Sequence, residues 1–124
     1  MTNRRDDHLL LSLRDATPLV EAEIERARRY DRALAVIIVT GGDMSLFAAR
    51  IPDLLVRLDR KRTMVVAPET DTERADVFAA RLCAITGALV EGTAAFPGDG
   101  QSLASLMRAA LTIDPIHLMD GVAR

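Results

Sequence analysis

The sequence predicts one α/β or α+β domain, a central β-sheet covered by helices. Three observations lead there. Hydrophobic periodicity alternates between helical stripes and short apolar runs, in the order helix, strand, short helix, hairpin, helix, strand, helix. The 124 residues are 49% apolar, enough for one core rather than two. No repeat, low-complexity tract or long linker divides the chain. We expect an N-terminal arm over residues 1–16, the domain over 17–112 and a C-terminal tail over 113–124.

Each element has a local cause. Thr17-Pro18 supplies a capping hydroxyl and a first-turn proline, after which Leu19, Val20, Ile24, Ala27 and Tyr30 form an apolar stripe with Glu25 and Arg29 paired on the solvent side. Ala33 to Val39 is continuously apolar and rich in β-branched residues, the pattern of a strand buried on both faces. Gly41-Gly42-Asp43 reads as a loop and helix start, followed by a short helical segment near Leu46 to Ile51. Leu54 to Leu58 and Thr63 to Ala67 flank the charged run Asp59 to Arg62 and predict a hairpin. Pro68 ends it. Thr70 with Glu73 forms a capping box for a helix with a buried stripe of Ala75, Phe78, Ala79, Leu82 and Ile85, stopped by Gly87. Ala88 to Phe96 is a further strand, Pro97 to Gly100 a turn, and Ser102 caps a last helix carrying Leu103, Leu106, Met107 and Ala110.

Charge and composition exclude several function classes. The net charge of -2 argues against a nucleic-acid partner, so any phosphate ligand depends on locally placed arginine. Cys83 is the single cysteine, which precludes an intrachain disulfide, and it reads as a small buried residue on a helix. With His8 and His117 far apart in sequence, no zinc-type cluster or other cofactor site is legible. Leu9 to Leu13 is too short for a signal core and Ala33 to Val39 too short to span a membrane. The expectation is a soluble, cytoplasmic chain without membrane insertion.

Several phrases then fall in one order. Arg26-Ala27-Arg28-Arg29-Tyr30 precedes the first strand, Val65-Val66-Ala67-Pro68-Glu69-Thr70 closes the hairpin, and Gly92-Thr93-Ala94-Ala95-Phe96-Pro97-Gly98-Asp99-Gly100 lies on the late strand and turn. Over about residues 19 to 111 the chain resembles the GGDEF family, bacterial enzymes of nucleotidyl-cyclase-like fold that condense two GTP into cyclic di-GMP. The resemblance puts the five-residue signature at Asp59-Arg60-Lys61-Arg62-Thr63. In active members an aspartate ending the first strand and an acidic signature residue hold two magnesium ions. Here those positions are Thr40 and Lys61. A hydroxyl and an ammonium cannot replace two carboxylates, and the signature glycines that let backbone approach the nucleotide are Asp59 and Arg60. The stretch from Thr40 to Arg50 is also a helix shorter than the family's. The resemblance therefore implies no cyclase activity and no metal or cofactor.

A second site is implied instead. The family's Arg-x-x-Asp pair, five residues before the signature, binds cyclic di-GMP as product inhibitor, and Arg50 and Asp53 occupy those positions. An arginine on the following helix corresponds to Arg81, and one from a neighbouring subunit's first helix to Arg26. Guanine offers paired acceptors to a guanidinium fork and N–H groups to a carboxylate, and further arginines neutralise phosphate. The implied function is a non-catalytic cyclic di-GMP receptor that signals to an unidentified protein partner and forms a ligand-induced homodimer. Plainer readings stand beside it: Arg50 and Asp53 as a surface pair, Arg26 paired with Glu23, Arg81 snorkelling beside an apolar stripe, and the whole chain a ligand-independent interaction or scaffold module with a degenerate GGDEF fold.

Overall fold

A computed structural model describes residues 10–47 and 53–111. In chain order they form β1 (Leu10–Ser12), α1 (Leu13–Tyr30), β2 (Leu34–Thr40), a 3-10 turn (Met44–Leu46), β3 (Leu54–Arg57), β4 (Arg62–Pro68), α2 (Thr72–Thr86), β5 (Leu89–Phe96) and α3 (Leu103–Ala110). The strands make one mixed sheet in the order β1-β3-β4-β2-β5. β1 runs parallel to β3, and the other neighbours are antiparallel. The predicted sheet covered by helices is thus the observed one.

β2 sits between β4 and β5 and is buried from Leu34 through Val39, so its continuous apolar run has no solvent face. Alternation divides the run between two cores. Leu34, Val36 and Ile38 pack with Val20 and Ile24 of α1 and Leu103 and Leu106 of α3. Ala35, Ile37 and Val39 pack with Ala75, Ala79 and Leu82 of α2. Each large side chain so buried contributes about 1.5–3 kcal/mol, which is why three helices settle on two faces rather than one.

Helix starts differ from the sequence expectation in two places. α1 begins four residues before Thr17, because the Ser12 hydroxyl accepts the Asp15 amide at 3.0 Å, while Thr17 donates its hydroxyl to the Leu13 carbonyl at 2.7 Å. Pro18 is consequently inside the helix and deprives the Arg14 carbonyl of its donor. Both residues are exposed, so water can serve that carbonyl. The cap of α2 is Asp71, not Thr70, since a carboxylate is the stronger acceptor at a helix N-terminus and takes the Arg74 amide at 2.9 Å. Thr70 instead bonds the Pro68 carbonyl. Ser102 caps α3 as expected, in a reciprocal box with Ser105.

Helix stripes are narrower than predicted. On α1, Leu19 and Tyr30 lie beside the buried row of Ala16, Val20, Ile24 and Ala27 and are 47% and 58% exposed. Glu25 pairs with Arg28 at 2.5 Å rather than with Arg29, because Arg28 is also held by the Gln101 carbonyl and by the Phe96 ring. On α2 the last buried position is Thr86 rather than Ile85: the Thr86 hydroxyl donates to the Leu82 carbonyl and accepts the Ala88 amide, which satisfies it inside the core. Gly87 ends α2 in the left-handed conformation at φ 80. β1 has no counterpart in the sequence expectation. The 3-10 turn, capped by Asp43, ends at an extended Phe47 and so meets the expected short helix only at Leu46; residues 48–51 of that expectation lie outside the described ones.

The loop after β2 is tied to the end of α2. The Asp43 amide donates to the Thr86 carbonyl at 2.9 Å, and a Cβ at Gly42 would fall 2.5 Å from the Ala88 nitrogen. Only glycine permits that approach, and its φ of 74 suits glycine as well. Cys83 is half-buried on α2, and desolvation pushes its thiol above the usual range against a smaller opposing effect of a Val90 backbone hydrogen bond.

Two outcomes follow from this packing. Leu82→Ala should lower unfolding free energy by about 2–5 kcal/mol in a denaturant titration, and Ile85→Ala by about 1 kcal/mol or less. Equal losses would contradict the burial assignment. Because its raised pKa keeps Cys83 protonated at neutral pH, iodoacetamide should modify the native thiol more slowly than the urea-unfolded one at the same pH, with the native rate rising as pH increases. Equal native and unfolded rates would remove the desolvation argument.

Candidate functional site

Two regions carry the functional candidates, and they lie at different parts of the sheet. The first is the corner where β2, the β3–β4 hairpin and β5 meet. The hairpin turn is organised by Asp59, whose Oδ1 accepts the Lys61 and Arg62 amides at 2.9 and 2.8 Å. That side chain supplies by hydrogen bonding the tight turn that glycine supplies by conformational freedom. Arg62 reaches back to Asp59 at 3.4 Å and sideways through Nε to Glu91 of β5 at 3.2 Å. The Thr40 hydroxyl donates to the same Glu91 oxygen, and the Gly41 amide to the Lys61 carbonyl. Thr40, Arg62, Asp59 and Glu91 therefore form one polar chain across three strands. Arg60 and Lys61 extend from it into solvent.

Among the described residues no group of three or more His, Cys, Asp or Glu could hold a metal ion. The carboxylate nearest Thr40 is already neutralised by Arg62, whose fixed charge opposes a second cation there. Sequence reasoning placed Arg62 in the charged signature turn but did not single out its partner Glu91. Their contact joins positions 29 apart, on strands separated by β2, and no local pattern announces it.

The second region is the α2 face of the sheet. Asp53 immediately precedes β3 and is only 9% exposed. Leu55 packs with α2 and Leu54 toward the opposite core, so alternation gives position 53 the α2 face. On α2, Phe78 meets Phe47 with ring centroids 5.7 Å apart, while Asp76 on the other flank accepts from Thr93 of β5. Arg81, three residues after Phe78, is exposed on the flank nearer the 3-10 turn. Arg81 makes no ion pair among the described residues. Arg50 lies outside the described residues, which resume at Asp53 immediately before β3.

Arg26 is elsewhere. It is exposed on α1, which packs with α3 on the face opposite α2, so one chain does not bring Arg26 to Arg81. Its sequence neighbour Glu23 forms no ion pair with it. Together with Arg29 and Tyr30 it lines a groove of about 760 Å³, whose far wall is Pro68 and Glu69. The Arg32–Glu69 ion pair at 2.8 Å joins the exit of α1 to that wall.

Comparison with known proteins was made by family, by curated relatives and by structure. No family model and no curated relative matches the chain. Solved structures do. A sensory box/GGDEF family protein from Caulobacter crescentus superposes with a TM-score of 0.65 at 21% identity, over 82% of this chain and 88% of that one. The GGDEF domain of YfiN, also called TpbB, from Pseudomonas aeruginosa gives a TM-score of 0.67 at 18% identity over 82% of this chain and 80% of that one. A second structure of the same domain gives 0.67 at 16% identity, covering 80% and 84%. At such identities the likeness is one of architecture, and the mixed five-stranded sheet with helices on both faces is a GGDEF-like fold.

Proposed function

We propose that this GGDEF-like domain is a non-catalytic, cytoplasmic receptor for cyclic di-GMP that passes the signal to a protein partner. The observation that carries the reading is a contrast between two regions of one sheet. At the corner of the family's metal site, Thr40 and Lys61 stand in place of carboxylates, and the available carboxylate, Glu91, is bonded to Thr40 and Arg62. At the head of β3 a carboxylate is retained: Asp53, the acidic half of the Arg-x-x-Asp pair, on the face shared with Arg81.

In this mechanism Arg50 donates to the O6 and N7 edge of a guanine, and Asp53 accepts from its N1 and N2 hydrogens. Arg81 meets guanine or phosphate from α2. A guanidinium not committed to an internal ion pair can be recruited without first breaking one, which favours Arg81 energetically. Arg26 serves the site of a neighbouring subunit, since within a chain it lies across the sheet from Arg81. That same separation is the one feature favouring the second reading, a ligand-independent interaction module in which the arginines act separately.

Incubation with GTP and magnesium or manganese should yield no cyclic di-GMP above a protein-free control, by chromatography. Turnover that copurifies with the protein would overturn the non-catalytic reading. Calorimetric titration should show cyclic di-GMP binding, weakened about ten- to hundredfold by Arg50→Ala or Asp53→Ala, the loss of about 1–3 kcal/mol for one bidentate contact. Circular dichroism checks that each variant is folded. Absent binding by the unmodified chain, or unchanged binding by folded variants, would favour the interaction module.

A further inference from the structure

Away from both regions, α1 presents a second stripe beside its buried one. Leu19, Glu23, Arg26 and Tyr30 recur at spacings of four, three and four, which puts them within one arc of the helix surface. The ends of the stripe are apolar and solvated: Leu19 is 47% and Tyr30 58% exposed. Its two central residues carry opposite charges. Neither is ion-paired with any described residue, although they stand one turn apart. The stripe borders the groove of about 760 Å³, where the small side chains of Ala22 and Ala33 leave room for a close approach.

We infer that this stripe is the contact between two copies of the chain, with their α1 helices packed antiparallel about a two-fold axis. The charge order selects that occupant. An axis crossing between positions 24 and 25 sets Leu19 against the partner subunit's Tyr30 and Glu23 against the partner subunit's Arg26, and symmetry repeats both contacts. All four stripe positions are thereby matched, apolar with apolar and acid with base. A parallel pairing sets Glu23 against the partner subunit's Glu23 and Arg26 against the partner subunit's Arg26, which like-charge repulsion opposes. The spacing is that of alternating d and a positions, and antiparallel helices pair a with d across the seam. One helix flank buries less than the ~1,200 Å² at which stable interfaces begin, so the dimer exchanges readily with monomer. The inference does not depend on a nucleotide, and it gives Arg26 a protein partner in the ligand-free chain.

Charge exchange tests it without ligand, by sedimentation velocity at rising protein concentration. The unmodified chain should show a monomer–dimer equilibrium. Glu23→Arg and Arg26→Glu each replace two attractive contacts by two repulsive ones and should weaken self-association at least about tenfold. The double variant E23R/R26E restores opposite charges across the axis and should recover the dimer. An equimolar mixture of the two single variants should associate more strongly than either alone, because every pair in the mixed dimer is then opposite in charge. The exposed flank leaves folding intact, as circular dichroism should verify. A chain that stays monomeric, single variants that dimerise like the parent, or a mixture no more associated than its components would each overturn the interface. Because every measurement is made without ligand, these outcomes are read separately from cyclic di-GMP binding, to which Arg26 is also assigned.

Discussion

A strand with no solvent face creates a difficulty that the rest of the fold resolves. β2 is apolar at every position from Leu34 to Val39, so a slip of one residue would exchange its two faces without exposing a single apolar group. Alternation alone therefore does not set its register. Polar contacts at its two ends do. At one end the Glu69 amide donates to the Ala33 carbonyl; at the other the Gly41 amide meets the Lys61 carbonyl and the Thr40 hydroxyl meets Glu91. With β2 pinned between β4 and β5, the large residues Ile38 and Ile37 are committed to opposite cores, and α1 and α3 are separated from α2.

The corner network thus has a structural role. A carboxylate pair facing a metal needs the metal to offset its own repulsion, and an unoccupied pair is a cost. Thr40, Glu91 and Arg62 join a hydroxyl donor, a carboxylate and a guanidinium across three strands. Asp59 does the same for the hairpin, fixing with its side chain a turn that a glycine would leave adaptable. Both arrangements add local order to this corner of the sheet.

Long elements with a strong period were legible in the sequence: the two-sided run of β2, the hairpin around Asp59 to Arg62, the Gly87 stop and the Ser102 cap. What was not legible depended on competition or on distance. Ser12 and Thr17, and likewise Asp71 and Thr70, are rival caps a few residues apart, and the choice between them is made by backbone geometry and acceptor strength. β1 is three residues long and has meaning only beside β3. Ile85 lost its place in the core to a threonine whose hydroxyl finds two partners, a satisfaction that hydropathy cannot register. Of the candidate site, the residue types were legible, but the placement of Arg26 and Arg81 on opposite faces follows from which side of the sheet each helix covers. Glu91 carried no signal because its partners come from other strands.

The contact of Gly42 with Ala88 has a mechanical consequence. The backbone leaving β2 touches the backbone entering β5, and the Asp43 amide holds the last turn of α2, so three connections converge on one point with no compliant side chain between them. At such a junction a side chain larger than hydrogen at position 42 would have to push the start of β5 away from the end of α2.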